Sequence, residues 1–106
     1  SDDMLIIRGV NVFPSQIEAV LMEQGYPANY QIIVDRVNHS DTLEVMVEMT
    51  ADSFSDSLSK IHEKEKSLVA ALKNMLGIYA KVKLVAPKTI SRSEGEAVRV
   101  IDKRKI

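Results

Sequence analysis

Residues 43–49 alternate one by one between two kinds of position. The odd-numbered positions are all apolar, whereas the even-numbered positions are Glu44, Met46 and Glu48. Alternation with a period of two is the pattern of a β-strand with one buried face. The β-branched stretch 30–36 precedes it, and residues 38–41 between the two are mostly of turn-forming types. The chain is therefore predicted to form an antiparallel hairpin from these two strands.

Helical patterns lie on either side of this hairpin in the sequence. The first helix is predicted to start at Pro14, where Ser15 and Glu18 have the spacing of a capping box, and to end at Gly25. Apolar residues then recur at helical spacing over residues 54–77, interrupted on the apolar side only by Glu65. This second pattern predicts one amphipathic helix of about 20 residues.

Short apolar stretches at both ends complete the pattern. Residues 4–7 and 10–12 are separated by Arg8 and Gly9, which predicts a tight hairpin or a bent strand. Residues 81–85 alternate like a strand, and residues 98–101 can form a last short one. The order predicts an α+β domain of the ferredoxin-like βαββαβ type. It would have an antiparallel sheet with two helices on one face, preceded by a short N-terminal hairpin.

The composition fits a single globular domain. The chain has 106 residues, of which 45% are hydrophobic and 27% charged, and its net charge of −1 indicates neither a nucleic-acid nor a membrane partner. No apolar stretch approaches the roughly 20 residues that span a bilayer. There is no Cys, and the two histidines are far apart in sequence, so we expect no metal site and a cytoplasmic location. The chain starts without Met, so we expect a domain of a longer protein.

Residues 91–100 form the stretch best suited to carry chemistry. They include Arg92, Ser93, Gly95 and Arg99 and follow the last strongly predicted strand. Small and charged residues suit a loop that extends toward an anion better than they suit a core. Gly9 is either a plain turn residue or a place where a ligand approaches the backbone. From the residues alone, a stand-alone ferredoxin-like regulatory or small-ligand-binding module is an alternative.

Two sequence strings resemble a known family. They are Ile-Arg-Gly-Val-Asn-Val-Phe-Pro at residues 7–14 and Arg-Ser-Glu-Gly-Glu-Ala-Val-Arg-Val-Ile-Asp at residues 92–102. Together they resemble the small C-terminal domain of the adenylate-forming acyl-CoA ligases, and among these the phenylacetate–CoA ligases. The resemblance covers the whole chain. It implies an enzyme that joins an acid to ATP as an acyl-adenylate and then, after rotation of the small domain, transfers the acyl group to CoA.

The resemblance implies partners and cofactors as well. These are the protein's own large N-terminal domain, phenylacetate or a similar aryl acid, and a second copy in a homodimer of the full-length enzyme. ATP, CoA and Mg²⁺ are implied for the full-length enzyme, with none bound stably by this domain alone. The isolated domain is accordingly expected to be inactive.

The resemblance also assigns roles to individual residues. Asp2 matches the hinge position between the two domains, where a few residues absorb a large backbone change. Gly9, Val10 and Asn11 match the turn that lines the pantetheine tunnel in the second step. A missing Cβ at Gly9 lets a thin ligand pass close to the backbone.

One position departs from the family pattern. The family places a lysine after Ser-Glu-Gly, and that lysine enters the active site for adenylation, but this chain has Glu96 there. A carboxylate cannot stabilise the negative charge that develops between the acid and the α-phosphate. Three explanations are open: a natural variant with weak adenylation, compensation by a nearby cation such as Arg92, Arg99 or Lys88, or a single-base change from a lysine codon.

Overall fold

The computed structural model describes residues 2–90 and 99–104. The elements in chain order are β1 (Leu5–Ile7), β2 (Val10–Val12), α1 (Pro14–Glu23), β3 (Tyr30–Val37), β4 (Ser40–Glu48), α2 (Ala51–Phe54), α3 (Leu58–Leu76), β5 (Lys81–Val85) and β6 (Val100–Asp102). No helix in these ranges is long and apolar enough to cross a membrane.

The central hairpin is the antiparallel pair β3–β4, as predicted. Its register runs from Tyr30 opposite Val47 to Val37 opposite Ser40. The two turn residues, Asn38 and His39, both have positive φ, 51° and 66°. This is the left-handed pattern of a type I′ turn, whose twist matches that of the two strands it joins.

The four-stranded sheet is mixed, with the order β5-β4-β3-β6. Strand β5 runs parallel to β4, and β6 runs parallel to β3. The predicted α+β class and short N-terminal hairpin are confirmed. The prediction of an antiparallel, ferredoxin-like βαββαβ sheet is wrong in its strand directions, because two of the three strand pairs in the sheet are parallel. Helix α3 makes a crossover between β4 and β5, which brings consecutive strands side by side in parallel. Strands β1 and β2 pair with each other in a separate two-stranded sheet.

The core lies between one face of the large sheet and the helices α1 and α3. In β3 and β4 the buried residues sit directly opposite one another, and the apolar face predicted for residues 43–49 is the one that is buried. The N-terminal hairpin also contributes to this core. The fully buried members of the core are Ile7, Val12, Ile17, Ile32, Val34, Val45, Val47, Leu72 and Ala80.

The long helix predicted over residues 54–77 is present as α3, but it begins at Leu58, and the short helix α2 precedes it. Thr50 caps α2 by accepting a hydrogen bond from the Ser53 N–H, and Ser57 caps α3 in the same way from Lys60. Phe54 therefore belongs to α2 and is 53% exposed, so it is no part of the apolar stripe. Each of the two helices thus has its own Ser/Thr N-cap, which the apolar periodicity alone could not show.

Candidate functional site

Asp2 lies against the first turn of α1. Its carboxylate oxygens accept hydrogen bonds from the Ser15 N–H at 2.8 Å and from the Ser15 hydroxyl at 2.6 Å. These two hydrogen bonds lower the pKa of Asp2 below its ordinary value. The predicted capping box of Ser15 and Glu18 is wrong, because Phe13 is the N-cap residue and the Ser15 hydroxyl donates to Asp2. The candidate hinge residue is thus tied to the helix that follows it.

Gly9 is the second residue of a tight, exposed turn between β1 and β2. Arg8 and Gly9 have φ of 50° and 77°, and Ile7 pairs with Val10 on either side of them. This is again a type I′ turn. A Cβ built at Gly9 would meet no atom within 4 Å. Within the domain, Gly9 is therefore required by its backbone conformation and leaves open space beside the chain.

Three hydrogen bonds attach this turn to the rest of the domain. The Arg8 N–H donates to Asp41 Oδ2 at 2.9 Å, and Arg8 Nη2 donates to the Tyr79 carbonyl at 2.6 Å. From the other side, Arg104 Nη1 donates to the Ile6 carbonyl at 2.6 Å. Of the neighbouring candidate residues, Val10 is half-buried and Asn11 is exposed.

The chain that leads toward residue 91 is held by Glu48. The Glu48 side chain accepts hydrogen bonds from the N–H of Lys88 at 3.0 Å and of Ile90 at 2.9 Å. Asn29 Nδ2 makes a third, longer contact of 3.4 Å with the same carboxylate. Glu48 is 4% exposed, and a buried carboxylate is retained where donors surround it.

Arg99 holds the other flank of residues 91–98. Its guanidinium lies 4.5 Å from the centre of the Tyr30 ring and donates a hydrogen bond to the Ala28 carbonyl. The Arg99 carbonyl accepts a hydrogen bond from the Ile32 N–H at 2.6 Å. The pKa of Tyr30 is raised above its ordinary value, first by burial and then by the carboxylates of Glu18 and Asp2. The positive charge of Arg99 offsets part of this increase. Arg92, Ser93, Gly95 and Glu96 lie outside the described residues.

These contacts fall at the two ends of the β3–β4 hairpin. Tyr30 and Glu48 mark one end, which anchors both flanks of residues 91–98. Arg36 and Asp41 form a register pair at the other end, which anchors the Gly9 turn. Arg36 lies six positions after Tyr30 along β3, a distance of about 20 Å at roughly 3.3 Å per residue. The candidate residues thus form two groups, one at each end of the same pair of strands.

Three residues of this arrangement were not found from the sequence: Glu48, Asp41 and Arg104. Alternation correctly placed Glu48 on the face opposite the helices, but it carries no information that residues 86–90 cover that face. Asp41 and Arg104 lie 63 positions apart, and no local pattern joins them. Among the described residues, no group of three or more His, Cys, Asp or Glu could hold a metal ion.

Comparison with known proteins identifies the family. The model of the AMP-binding enzyme C-terminal domain matches residues 9–104. The chain belongs to this family. Phenylacetate-coenzyme A ligase of Escherichia coli (strain K12) is 44% identical over 111 residues, which cover 100% of this chain and 24% of that protein. The Pseudomonas putida protein of the same name is 43% identical, covering 98% of the chain and 24% of its own length. This AMP-binding enzyme C-terminal domain thus spans about a quarter of these relatives.

Solved structures agree with this assignment. A domain of phenylacetate-coenzyme A ligase from Bacteroides vulgatus has a TM-score of 0.88 at 32% identity, covering 98% of this chain and 95% of that one. 2-Hydroxyisobutyryl-CoA ligase with 2-HIB-AMP and CoA, in the thioesterification state, has a TM-score of 0.87 at 35% identity, covering 98% of this chain and 22% of that one. The membership predicted from the two sequence strings is confirmed, and the fold is that of a ligase C-terminal domain.

Proposed function

We propose that this domain is the mobile C-terminal part of an AMP-forming acid–CoA ligase that acts on phenylacetate or a similar aryl acid. One observation carries the proposal. A phenylacetate-coenzyme A ligase is 44% identical to the chain over its whole length. The acid itself is taken from the names of the relatives, because this chain is only about a quarter of their length.

The proposed reaction has two steps. A carboxylate oxygen of the acid first attacks the α-phosphorus of ATP, and the bond to pyrophosphate breaks to leave an acyl-adenylate. The sulfur of CoA then attacks the acyl carbon, the bond to AMP breaks, and the thiol proton passes to solvent. ATP, CoA and Mg²⁺ are proposed for the full-length protein, and none of them is expected to bind stably to this domain alone. We further propose a cytoplasmic location and a homodimer of the full-length protein.

The two groups of candidate residues suit the two steps. The flanks of residues 91–98 and the Gly9 turn are anchored about 20 Å apart along β3, at roughly 3.3 Å per residue, so rotation of a rigid domain could present one and then the other. A related enzyme, 2-hydroxyisobutyryl-CoA ligase, has been solved in a postadenylation and in a thioesterification state. In the proposal, Asp2 is the hinge about which the domain turns between two such orientations.

Individual roles follow from the same division. Gly9, Val10 and Asn11 face the pantetheine arm of CoA during thioester formation. The exposed position of Gly9 and the open space at its Cα fit a ligand that arrives from outside the domain. The segment with Arg92, Ser93 and Gly95 serves the adenylation step, and Arg99 anchors one of its flanks. Glu96 stands where the family has its adenylation lysine, so we propose that this step is weak.

The test uses the full-length protein encoded by the same gene. It should convert phenylacetate, ATP and CoA into phenylacetyl-CoA, AMP and pyrophosphate, and it should form the thioester faster from preformed phenylacetyl-adenylate. The 106-residue chain is the control and should do neither. Failure of the full-length protein to make any thioester from a panel of aryl acyl-adenylates, or turnover by the isolated chain, would overturn the proposal.

A further inference from the structure

We propose that Asp41 is a positioning residue, which holds the Gly9 turn in the shape that the CoA step requires and takes no part in adenylation. This inference rests on the proposed function, since it assigns a partner to the turn that would face CoA. Asp41 lies 33 positions after Arg8 in sequence, and its carboxylate contacts the backbone N–H of this turn residue. The turn needs support from outside its own hairpin, Asp41 supplies that support, and Asp41 is itself held in place by neighbouring residues.

The Gly9 turn needs support because of the residue that precedes Gly9. Both central residues of a type I′ turn have positive φ, which Asn, Asp and Gly adopt readily. Gly9 meets this requirement, but the other position holds Arg8, with φ of 50°. A long side chain in this region is disfavoured and persists where surrounding contacts hold it. The shape of the turn therefore depends on contacts outside the hairpin.

Asp41 contacts the backbone of the turn itself. Its Oδ2 accepts the N–H of Arg8 at 2.9 Å, directly on the backbone of the strained residue. The second external contact of Arg8, from Nη2 to the Tyr79 carbonyl, runs through a flexible side chain. The bond to Asp41 therefore constrains the backbone of the turn more directly than the bond to Tyr79 does.

Asp41 is fixed in turn by two guanidinium groups. Arg36 Nε lies 3.0 Å from Oδ1, and Arg104 Nη1 lies 3.3 Å from Oδ2. The Arg104 side chain is 9% exposed and is oriented by a two-point pair with Asp102, with Nη2 at 2.9 Å and Nε at 3.0 Å. The hydrogen bonds from Arg8 and Arg36, together with these charges, lower the pKa of Asp41, so the carboxylate is ionised at neutral pH.

Arg104 also joins Asp41 to the strand before the turn. The same Nη1 atom that contacts Asp41 donates to the Ile6 carbonyl at 2.6 Å. Loss of the Asp41 carboxylate would remove the acceptor of the Arg8 N–H and leave Arg36 and Arg104 facing each other without a shared counter-charge. Both changes act on the N-terminal hairpin β1–β2. Neither involves the contacts of Glu48 or Arg99 at the other end of β3–β4.

The consequence for CoA follows from geometry. A turn that lines a narrow ligand path must be held within a fraction of an ångström, because small displacements of a binding element cost large factors in rate. The Asp41→Ala change should therefore lower kcat/KM for CoA by about ten- to a hundredfold. Asp41→Asn keeps one carbonyl acceptor for the Arg8 N–H and should fall between Asp41→Ala and the wild type.

The experiment measures both steps in the full-length protein. Thioester formation is followed from preformed phenylacetyl-adenylate with varied CoA, and adenylation is followed separately by pyrophosphate release. Asp35→Ala is the matched control, because Asp35 lies on the same hairpin and accepts a hydrogen bond from the N–H of its neighbour Arg36. The control should retain the CoA step, and all variants should keep adenylation within about twofold of the wild type.

The outcomes separate the inference from the proposed function. No thioester from the wild-type protein overturns both. Thioester formation by the wild type with an unchanged kcat/KM for CoA in Asp41→Ala overturns the inference alone, as does an equal loss of both steps in a folded Asp41→Ala protein. If Asp41→Ala does not fold, Asp41→Asn carries the test, and a selective fall in kcat/KM for CoA supports the inference whereas an unchanged value overturns it.

Discussion

The buried carboxylate of Glu48 accepts a 2.9 Å hydrogen bond from the backbone N–H of Ile90, a residue 42 positions later in the chain. A second bond, from the Lys88 N–H, fixes the same stretch two residues earlier. Lys88 has a positive φ of 65°, so the chain bends sharply between the two contacts. Glu48, the last residue of β4, thus fixes the path of the chain just before residue 91.

Replacing Glu48 should destabilise the domain. Glu48→Ala would leave the N–H groups of Lys88 and Ile90 without their acceptor, at a cost of about 1–3 kcal/mol in the free energy of unfolding. Urea denaturation of the 106-residue chain measures this. Glu44→Ala is the matched control on the same face of β4, because the ion pair of Glu44 with the exposed Lys81 spans 3.7 Å and its loss should change stability by at most about 0.5 kcal/mol. Equal effects of the two substitutions would contradict the anchoring role.

Glu65 has a comparable role at the edge of the sheet that β5 forms. It interrupts the apolar side of α3, and its carboxylate accepts the N–H of Leu84 on the edge strand β5 at 2.9 Å. Glu65→Ala should lower the free energy of unfolding by about 1 kcal/mol, the usual net value of one such bond. The control is Glu63→Ala, on the exposed face of the same helix, which should have little effect. A wild-type urea midpoint in Glu65→Ala would show that the contact contributes nothing.

The sequence predicted the elements of the fold better than their arrangement. Alternation over residues 43–49 and the apolar spacing of α1 report which face of each element is buried, and these local signals were correct. The direction of β5 and β6 depends on which strands they meet after a crossover, and that information is not local. Glu65 shows the same limit, because a charged residue on an apolar stripe is explained only by an edge strand that arrives 19 positions later.

The residues of the candidate site also differ in whether the sequence could predict them. Roles for Gly9 and Asp2 were predicted only from the family resemblance, whereas the turn at Gly9 was also predicted by the spacing of apolar residues and is present in the structure. Asp41 was placed in a turn-forming stretch and assigned no further role. Its contacts with Arg8 and Arg104 join three distant parts of the chain. Contacts between residues so far apart produce no periodic pattern in the sequence from which they could be predicted.

Asp2 should stabilise the domain in a pH-dependent way. Its pKa in the folded state is lowered, first by the Ser15 hydroxyl and then by the Ser15 N–H, from the ordinary value of 3.8. A depressed pKa means that the stabilisation is fully present above the unfolded-state pKa and is lost as the pH falls through the folded-state pKa. Wild type and Ser15→Ala should therefore differ in unfolding free energy at neutral pH, and the difference should shrink as the pH drops below 3.8.

Carbon-detected NMR of the Asp2 carboxyl group measures the same effect directly. Its pKa should lie below 3.8 in the wild type and move toward that value in Ser15→Ala, with a residual shift from the backbone N–H. An Asp2 pKa that is identical in the two proteins would mean that the bonds to Ser15 do not persist in solution.

Glu96→Lys should accelerate adenylation in the full-length protein. An ammonium group beside the α-phosphate stabilises negative charge that develops in the transition state, and removal of one such group from an enzyme typically costs about 10²–10³ in rate. Pyrophosphate release from ATP and phenylacetate should rise by a factor of this order in Glu96→Lys. Thioester formation from preformed phenylacetyl-adenylate should change little, because we propose that this step uses the Gly9 turn. Glu96→Gln removes the repulsive charge without adding a cation, so it should recover only part of the gain. Equal pyrophosphate release from wild type and Glu96→Lys would show that another cation already fills the role, and Arg92→Ala and Lys88→Ala would then identify which.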